Sequence, residues 1–176
     1  LGAGKRREQI EDHPCFSEKA HGKSGRLHLP VSPACNIQCR FCRRTQNTGE
    51  QRPGVTRGIL PVEEAVQTVR SALALCPQIS VVGIAGPGDT LATDHALRTF
   101  QAVHAAFPAL IKCLSTNGLA LPGKAQALWD AGVRTITVTV NAVDALLLKQ
   151  IVSWVEADRD LIGAQLEGIG ECAALG

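Results

Sequence analysis

Three cysteines, Cys35, Cys39 and Cys42, stand close together with the spacing C-x3-C-x2-C. Three thiolates so near one another in the sequence can converge on one iron–sulfur cluster. A four-iron cluster held by three thiolates keeps one iron open, and an open position can bind a substrate, as it does at a catalytic zinc ion. A closed zinc site needs a fourth ligand and a disulfide leaves one cysteine over, so the triplet favours an iron–sulfur cluster.

Polar or glycine-rich residues follow three apolar stretches further along the chain. The turn Gly86-Pro87-Gly88-Asp89, Asn117 and Asn141 each come directly after, or one residue beyond, such a stretch. Each alone is ordinary turn chemistry. Ligands bind at the carboxyl ends of the strands in parallel α/β sheets, which is where these residues and the cysteine loop are expected. Four such features at one edge are difficult to explain by packing alone.

The apolar stretches themselves predict four strands, each followed by a helix. The first alternates apolar and other residues, and the second, 79–85, is a continuous apolar run, as expected for a strand buried on both faces. The long basic loop 35–56 between the first strand and first helix is of a length that is usually functional. The predicted strands cover 27–31, 79–85, 111–115 and 135–140, and the predicted helices begin at Pro61, near 93 and near 121, with further helical segments broken near 157–160.

This order predicts an α/β fold with a parallel sheet and right-handed crossovers. Four such units are half of an eightfold β/α barrel of the TIM type, and a doubly wound open sheet is the alternative. We expect residues 1–25 to form a polar leader segment and residues 26–176 to form an incomplete barrel domain. Because the chain contains no methionine and begins with Leu1, we also expect it to be a fragment, truncated after about four units.

Composition narrows the function classes. Hydrophobic residues make up 45% and charged residues 19% of the 176 residues, which is typical of a soluble globular domain. The net charge of +2 gives no reason to expect nucleic-acid binding, and we expect neither a membrane span nor a signal peptide. Seven cysteines without a secretory signal indicate metal or redox chemistry in a cytoplasmic protein rather than a disulfide framework.

The triplet after a first strand, with Phe41 before its third cysteine, resembles the signature of radical S-adenosylmethionine (SAM) enzymes. The resemblance implies a 4Fe–4S cluster on Cys35, Cys39 and Cys42, whose open iron binds SAM and whose electron releases a 5′-deoxyadenosyl radical. It also implies that backbone groups of a glycine-rich turn meet SAM, while asparagines at strand ends bond SAM or the sulfides. The residues implied to bind the cofactor are Gly86, Gly88, Asp89, Asn117 and Asn141.

Longer stretches resemble one branch of that superfamily, the maturases that build the core of the nitrogenase iron–molybdenum cofactor. This resemblance implies that two 4Fe–4S substrate clusters are fused around a carbide carbon taken from a SAM methyl group. It also implies an electron donor such as ferredoxin or flavodoxin, iron–sulfur cluster donors and nitrogenase cofactor carrier proteins as partners. The matching stretches are HPCFSEKAH (13–21), PACNIQCRFC (33–42), RPGVT (52–56), VVGIAGPGDTLA (81–92), KCLSTNGL (112–119), TVTVNAVD (137–144) and QLEGI (165–169).

The same resemblance implies that His13, Cys15 and Cys113 bind the substrate clusters, and that Glu50 and Arg52 act in catalysis. Without it, Cys113 is an ordinary small core residue and the charges at 50 and 52 belong to a solvated loop. The branch usually has a further cysteine just after the triplet, but residues 43–49 contain none. Two other functions therefore remain open: a radical SAM enzyme with another substrate, and a non-catalytic iron–sulfur carrier or remnant.

Overall fold

The computed structural model describes residues 11–43 and 57–175. The strands and helices alternate for most of the chain, as the apolar stretches predict. The strands are β1 (Gly25–His28), β2 (Ile37–Cys39), β3 (Ile79–Ile84), β4 (Ile111–Thr116), β5 (Val133–Val138) and β6 (Val152–Val155). The helices are α1 (Val62–Leu75), α2 (His95–Ala106), α3 (Ala125–Asp130), α4 (Ala145–Ile151) and α5 (Leu161–Leu175), with a 3-10 turn at Glu156–Asp158.

Four strands form the central sheet in the order β1-β3-β4-β5, and every pair in it is parallel. This confirms the predicted α/β class, because strands that follow one another through helices pair in chain order. One face of the sheet carries the main core, in which α1, α2 and α3 cover apolar side chains of the strands. That core includes Leu29, Val82, Ile84, Phe100 and Leu114, all of which are buried.

The opposite face of the sheet is much less apolar. Its only apolar cluster among the described residues is Val81, Ile111 and Cys113. The parallel register sets Gly83 beside Cys113, and Arg26 beside Val81, so the glycine leaves room on this face. In a β/α barrel this side of the strands is the interior, and here it is available for polar side chains.

A small antiparallel ribbon joins β2 to β6, and it was not predicted. The sequence predicts an irregular loop over residues 35–56 and a continuation of the helical segments over residues 152–155. The sequence Val-Ser-Trp-Val of β6 is rich in residues that favour strands, and this local preference prevails once β2 offers backbone partners. The predicted break after it is confirmed, because Ala157 and Asp158 have φ values of 52° and 49°.

Three predicted elements differ in their ends by two residues or more. Strand β1 covers Gly25–His28 rather than 27–31, because Pro30 has no N–H with which to continue the pairing to β3. The third helix begins at Ala125 rather than near 121, because Leu121 lies in a turn in which its N–H donates to the Gly118 carbonyl. Strand β5 begins two residues earlier than predicted, at Val133, since Gly132 ends the preceding turn with a φ of 82°. No helix in the described ranges has both the length and the apolarity to cross a membrane.

Lys112 is fully buried at the start of β4, on the helix-covered face. Its ammonium group donates to the carbonyl oxygens of Phe107 (2.8 Å), Pro108 (3.3 Å) and Leu110 (2.7 Å), and lies 3.1 Å from Nδ1 of His104. Burial, assisted by the charge of Arg134, lowers the pKa of Lys112 to about 8. This lysine therefore fixes the connection between α2 and β4, and thereby the position of the strand that carries Cys113.

Candidate functional site

The three cysteines of the triplet lie on one short loop beyond β1. Cys39 ends β2, and a turn closed by the Cys42 N–H and the Cys39 carbonyl (3.1 Å) follows. The Gln38 amide group spans this turn by donating to the carbonyl oxygens of Cys39 (2.8 Å) and Cys42 (3.2 Å). All three cysteines are half-buried and none of them forms a disulfide.

The ribbon with β6 fixes this loop from outside. The N–H of Arg40 donates to the Ile151 carbonyl, and the N–H of Glu156 donates to the Asn36 carbonyl, both at 2.9 Å. The Ser153 hydroxyl adds a bond of 3.1 Å to the Gln38 carbonyl. The backbone on both sides of Gln38 is therefore held by a segment more than 110 residues away in sequence.

The glycine-rich turn after β3 supports the same loop from inside. The N–H of Gly88 donates to the Ser32 carbonyl (2.8 Å), and the N–H of Asp89 donates to the Ala34 carbonyl (2.9 Å). A Cβ on Gly88 would overlap the Ala34 carbonyl oxygen, so only glycine allows this approach. The missing side chain at Gly88 thus serves contact with the residue directly before Cys35. The contact of this turn with SAM remains a prediction.

The Asp89 carboxylate, 7% exposed, turns towards the end of β4. It accepts hydrogen bonds from the N–H of Leu91 (2.9 Å), from the N–H of Asn117 (2.6 Å) and from the Thr116 hydroxyl (3.0 and 3.1 Å to its two oxygens). Both oxygens of this carboxylate therefore already accept hydrogen bonds from groups of the chain itself. Asp89 therefore joins two of the loops that the sequence placed at the carboxyl edge of the sheet.

Asn117 connects these loops to the cysteine triplet. Its Nδ2 donates to Oδ1 of Asn36 at 2.7 Å and lies 3.7 Å from the sulfur of Cys35, while its Oδ1 accepts from the N–H of Leu119 at 2.9 Å. The side-chain amide of Gln165 on α5 donates to the Asn117 carbonyl at 2.7 Å. Asn117 is therefore bonded on every side, and it presents an amide hydrogen to a predicted cluster ligand.

The remaining predicted residues of this edge are less connected. Asn141 is half-buried beyond β5, and the hydrogen bonds of Asp89 and Asn117 do not extend to it within the described ranges. The amide of Gln165 instead reaches the Thr139 carbonyl, two residues before Asn141, at 3.0 Å. Glu50 and Arg52 lie outside the described residues, so their predicted catalytic role remains a prediction.

His13, Cys15 and Cys113 are brought together on the other face of the sheet, around Arg26. The Arg26 guanidinium donates to the Cys15 sulfur at 3.2 Å. A Cβ on Gly83 would lie 2.7 Å from Nε of Arg26 and 3.1 Å from the sulfur of Cys113, so both groups occupy the space that this glycine leaves. Residues almost 100 positions apart in the sequence therefore line one small polar region.

The protonation of this group follows from its burial. Burial lowers the pKa of His13, and the Arg26 charge lowers it further, so both effects favour the neutral imidazole. The Cys15 N–H donates to Nδ1 of His13 at 3.2 Å, which leaves the ring proton on Nε2, where it has no acceptor among the described residues. Burial raises the pKa of the Cys113 thiol, and the positive charge of Arg26 opposes this rise.

The donor set of the triplet suits a four-iron cluster. No three histidine, cysteine or acidic side chains of the described ranges are arranged around a single metal ion. A 4Fe–4S cluster does not require this, since each thiolate binds a different iron at a different corner. The three cysteines share one loop, and the Asn117 amide lies beside one of them. The residues present therefore fit a cluster with one open iron.

A sequence model of the radical SAM superfamily matches residues 29–159, which include the triplet, the glycine-rich turn and Asn117. The chain belongs to the radical SAM superfamily. Membership implies a 4Fe–4S cluster and SAM as cofactors, in agreement with the donor set. The crystal structure of BtrN in complex with AdoMet and 2-DOIA has a TM-score of 0.51 and covers 82% of this chain and 55% of that one. At 17% identity, this likeness shows the fold alone.

Within the superfamily, the chain is homologous to proteins named FeMo cofactor biosynthesis protein NifB. It is 47% identical over 169 residues to the protein of Methanocaldococcus jannaschii, with 89% of this chain and 56% of that protein covered. It is 45% identical over 176 residues to the Klebsiella pneumoniae protein, with 93% of this chain and 38% of that protein covered. The chain therefore spans little more than half the length of the archaeal relative and less of the bacterial one.

Three residues of these two sites were not predicted from the sequence. Asn36 lies inside the triplet, and its residue type alone does not indicate a function. Arg26 alternates with Leu27 and Leu29, so its position on the opposite face of β1 could have been derived from the period of a strand. Gln165 is an isolated polar residue between apolar ones on α5, and 2% exposure shows that it faces the interior.

Proposed function

We propose that this chain is the SAM-cleaving part of a maturase that builds the core of the nitrogenase iron–molybdenum cofactor. Cys35, Cys39 and Cys42 hold the resident 4Fe–4S cluster. When bound, the reduced cluster supplies the electron that breaks a sulfur–carbon bond of SAM and yields a 5′-deoxyadenosyl radical. The substrates are two further 4Fe–4S clusters, which are joined around a carbon that comes from a SAM methyl group.

The arrangement of the loops at the sheet edge supports the first part of this proposal. Gly88 and Asp89 hold the backbone immediately before Cys35, while Asn117 fixes Asn36 immediately after it. The first ligand is therefore positioned by two strands before any cofactor binds. Such rigidity favours SAM cleavage because the reacting bond must be held in a defined place relative to the cluster. Gly86, Gly88, Asp89, Asn117 and Asn141 are the proposed SAM-contacting residues.

The convergence of His13, Cys15 and Cys113 is the single observation that most favours a maturase over another radical SAM enzyme. Thiolate and imidazole are suitable ligands for iron, and a guanidinium group beside them counters the negative charge of an iron–sulfur substrate. Cys113 is buried and Cys15 is exposed, so a substrate cluster would enter this site from the side of Cys15. Coordination through Nε2 of His13 moves the ring proton to Nδ1 and opens the bond from the Cys15 N–H.

The surface near the triplet is suited to a small acidic electron donor. Arg40 and Arg43 are exposed on the loop that carries the three cysteines. Positive charge beside a buried redox centre attracts an anionic partner and falls in effect as salt rises. We propose a ferredoxin or flavodoxin as that partner, iron–sulfur cluster donors and nitrogenase cofactor carrier proteins as the others, and the cytoplasm as the compartment.

The resident cluster is tested by anaerobic reconstitution. The chain should bind about one 4Fe–4S cluster with high occupancy, show an electron paramagnetic resonance signal after reduction, and form 5′-deoxyadenosine from SAM and dithionite. Replacement of Cys35, Cys39 and Cys42 together by alanine should abolish the resonance signal and the formation of 5′-deoxyadenosine. Cys76→Ala and Cys172→Ala are matched controls that should keep them. A reducible cluster without deoxyadenosine would favour a non-catalytic iron–sulfur carrier and contradict the SAM-cleaving role.

The substrate clusters are tested by iron and sulfide analysis of variants that retain the triplet. Cys15→Ala and Cys113→Ala should each lower the iron bound beyond the first four atoms per chain, whereas Cys172→Ala, which removes another partly buried thiol, should not. Unchanged iron in the Cys15 and Cys113 variants, with SAM cleavage intact, would favour a radical SAM enzyme with another substrate.

A further inference from the structure

Asn36 carries a buried hydrogen-bond donor without an acceptor. Only 3% of the residue is exposed, and its Nδ2 has no partner among the described residues. A buried amide hydrogen left unpaired is destabilising, so such a group usually has a partner that is absent or a function that retains it. Asn36 lies between Cys35 and Cys39, two proposed ligands of the resident cluster.

The neighbouring bonds fix which end of the Asn36 amide is unpaired. Oδ1 of Asn117 must accept from the N–H of Leu119 at 2.9 Å, because a backbone N–H cannot pair with an NH2 group. Asn117 therefore turns its Nδ2 towards Asn36, and the atom of Asn36 that accepts this hydrogen bond, at 2.7 Å, must be Oδ1. The Nδ2 of Asn36 is consequently forced away from Asn117 and cannot exchange places with its oxygen.

The Cys35 sulfur shows that the two asparagines lie near the proposed cluster. Nδ2 of Asn117 lies 3.7 Å from the sulfur of Cys35, so the pair of asparagines stands beside the thiolate end of the site. The Asn36 backbone is held as well, because its carbonyl accepts from the N–H of Glu156 at 2.9 Å. The amide is thus anchored at its backbone and at Oδ1, with Nδ2 as its one remaining unpaired group.

We infer that Nδ2 of Asn36 donates a hydrogen bond to an inorganic sulfide of the resident 4Fe–4S cluster. This inference rests on the proposed cluster site and adds a positioning residue to it. Reduction adds a negative charge to the cluster, and a hydrogen bond to sulfur stabilises the more negative state. Asn36 therefore raises the reduction potential of the cluster, while Asn117 sets its orientation.

The experiment compares the wild-type chain with Asn36→Leu and Asn36→Asp. Leucine removes the donor without adding charge, and aspartate removes the donor but keeps an oxygen for the bond from Asn117. Gln126→Leu, which changes an exposed amide on α3, is the matched control. Each reconstituted protein is titrated anaerobically, first without SAM and then with it, and the midpoint potential is followed by electron paramagnetic resonance. Electron–nuclear double resonance in H2O and D2O measures exchangeable protons coupled to the reduced cluster.

The inference requires a more negative midpoint potential in both Asn36 variants and loss of one exchangeable proton coupling, with the control unchanged. Equal potentials and couplings in all four proteins would overturn it while leaving the cluster site intact. A change that occurs only after SAM is added would also overturn it, since the donor would then face SAM. Loss of the cluster from both folded variants would show a role in assembly instead, and a wild-type chain without any reducible cluster would refute the proposed function as well.

Discussion

The most direct test of how the site is built is the replacement Asp89→Asn. The carboxylate accepts two backbone N–H groups, one on each oxygen, and the Thr116 hydroxyl reaches both oxygens. An amide has one oxygen, so it can accept from Asn117 or from Leu91 but not from both. Its NH2 group then faces the other backbone N–H, and that donor stays buried without an acceptor.

The magnitude follows from the bonds that are lost. A hydrogen bond to a charged group contributes about 1.5 to 3 kcal/mol, so the loss of one such bond in a buried site should lower the free energy of unfolding by about 3 kcal/mol. Urea unfolding of the cluster-free protein under reducing conditions measures this. Asp94→Asn is the matched control, because its carboxylate is exposed and its ion pairs with Arg98 and His95 are long. A loss below about 1 kcal/mol for Asp89→Asn, or equal losses in both variants, would refute this account of Asp89.

Three further predictions concern single side chains. Gly88→Ala should prevent high-occupancy cluster loading, because the added methyl group overlaps the Ala34 carbonyl beside Cys35; iron per chain after reconstitution measures this. Gly168→Ala should lower the free energy of unfolding by about 1 to 3 kcal/mol, since its Cβ would lie 2.7 Å from Cβ and Cγ of Leu121. The contribution of Lys112 to stability, measured as the difference between the wild-type chain and Lys112→Met, should rise by about 2 kcal/mol between pH 7.5 and 9.5, because unfolded Lys112 keeps its proton while the buried form, with a pKa of about 8, releases it.

Each of these has a control in the same chain. A Cβ on Gly58 or Gly170 meets no atom within 4 Å, so Gly58→Ala should load normally and Gly170→Ala should be neutral or stabilising on its helix. Equal behaviour of the paired glycine variants would contradict the predicted overlaps. Lys112→Met should lack this contribution, and equal changes in stability with pH in the variant and the wild-type chain would show that Lys112 does not titrate in this range.

The sequence predicts the central sheet well because long apolar runs leave few alternatives. Strands β3 and β4 lie where the runs at 79–85 and 111–115 predict them, each within about one residue at its ends. The ribbon of β2 and β6 could not be predicted in this way. Its strands have three and four residues, and the bonds that stabilise them join segments far apart in the sequence.

The sequence predicts the roles of some residues of the site and not of others. Cysteine spacing indicates a cluster because three thiols so close together have few other uses. The role of Asp89 depends on tertiary contacts: its carboxylate bonds the backbone of Leu91 and Asn117, and no local pattern reveals this. Arg26 is placed on the face of Cys113 by strand period alone, but its contact with Cys15 depends on how residues 11–24 fold over the sheet.

The carboxyl edge and the interior face of the sheet divide the proposed chemistry between them. The carboxyl edge holds the triplet through Asp89 and Asn117, which are bonded to one another, while the interior face holds Cys113 beside Arg26. Strand β4 belongs to both, because Cys113 points into the interior face and Asn117 follows the same strand at its end. A shift of β4 along its neighbours would therefore move a proposed contact of the resident cluster and a proposed ligand of a substrate cluster together. Since Lys112 anchors the start of that strand by three carbonyl bonds, the distance between the two sites is fixed by one buried charge and one rigid strand.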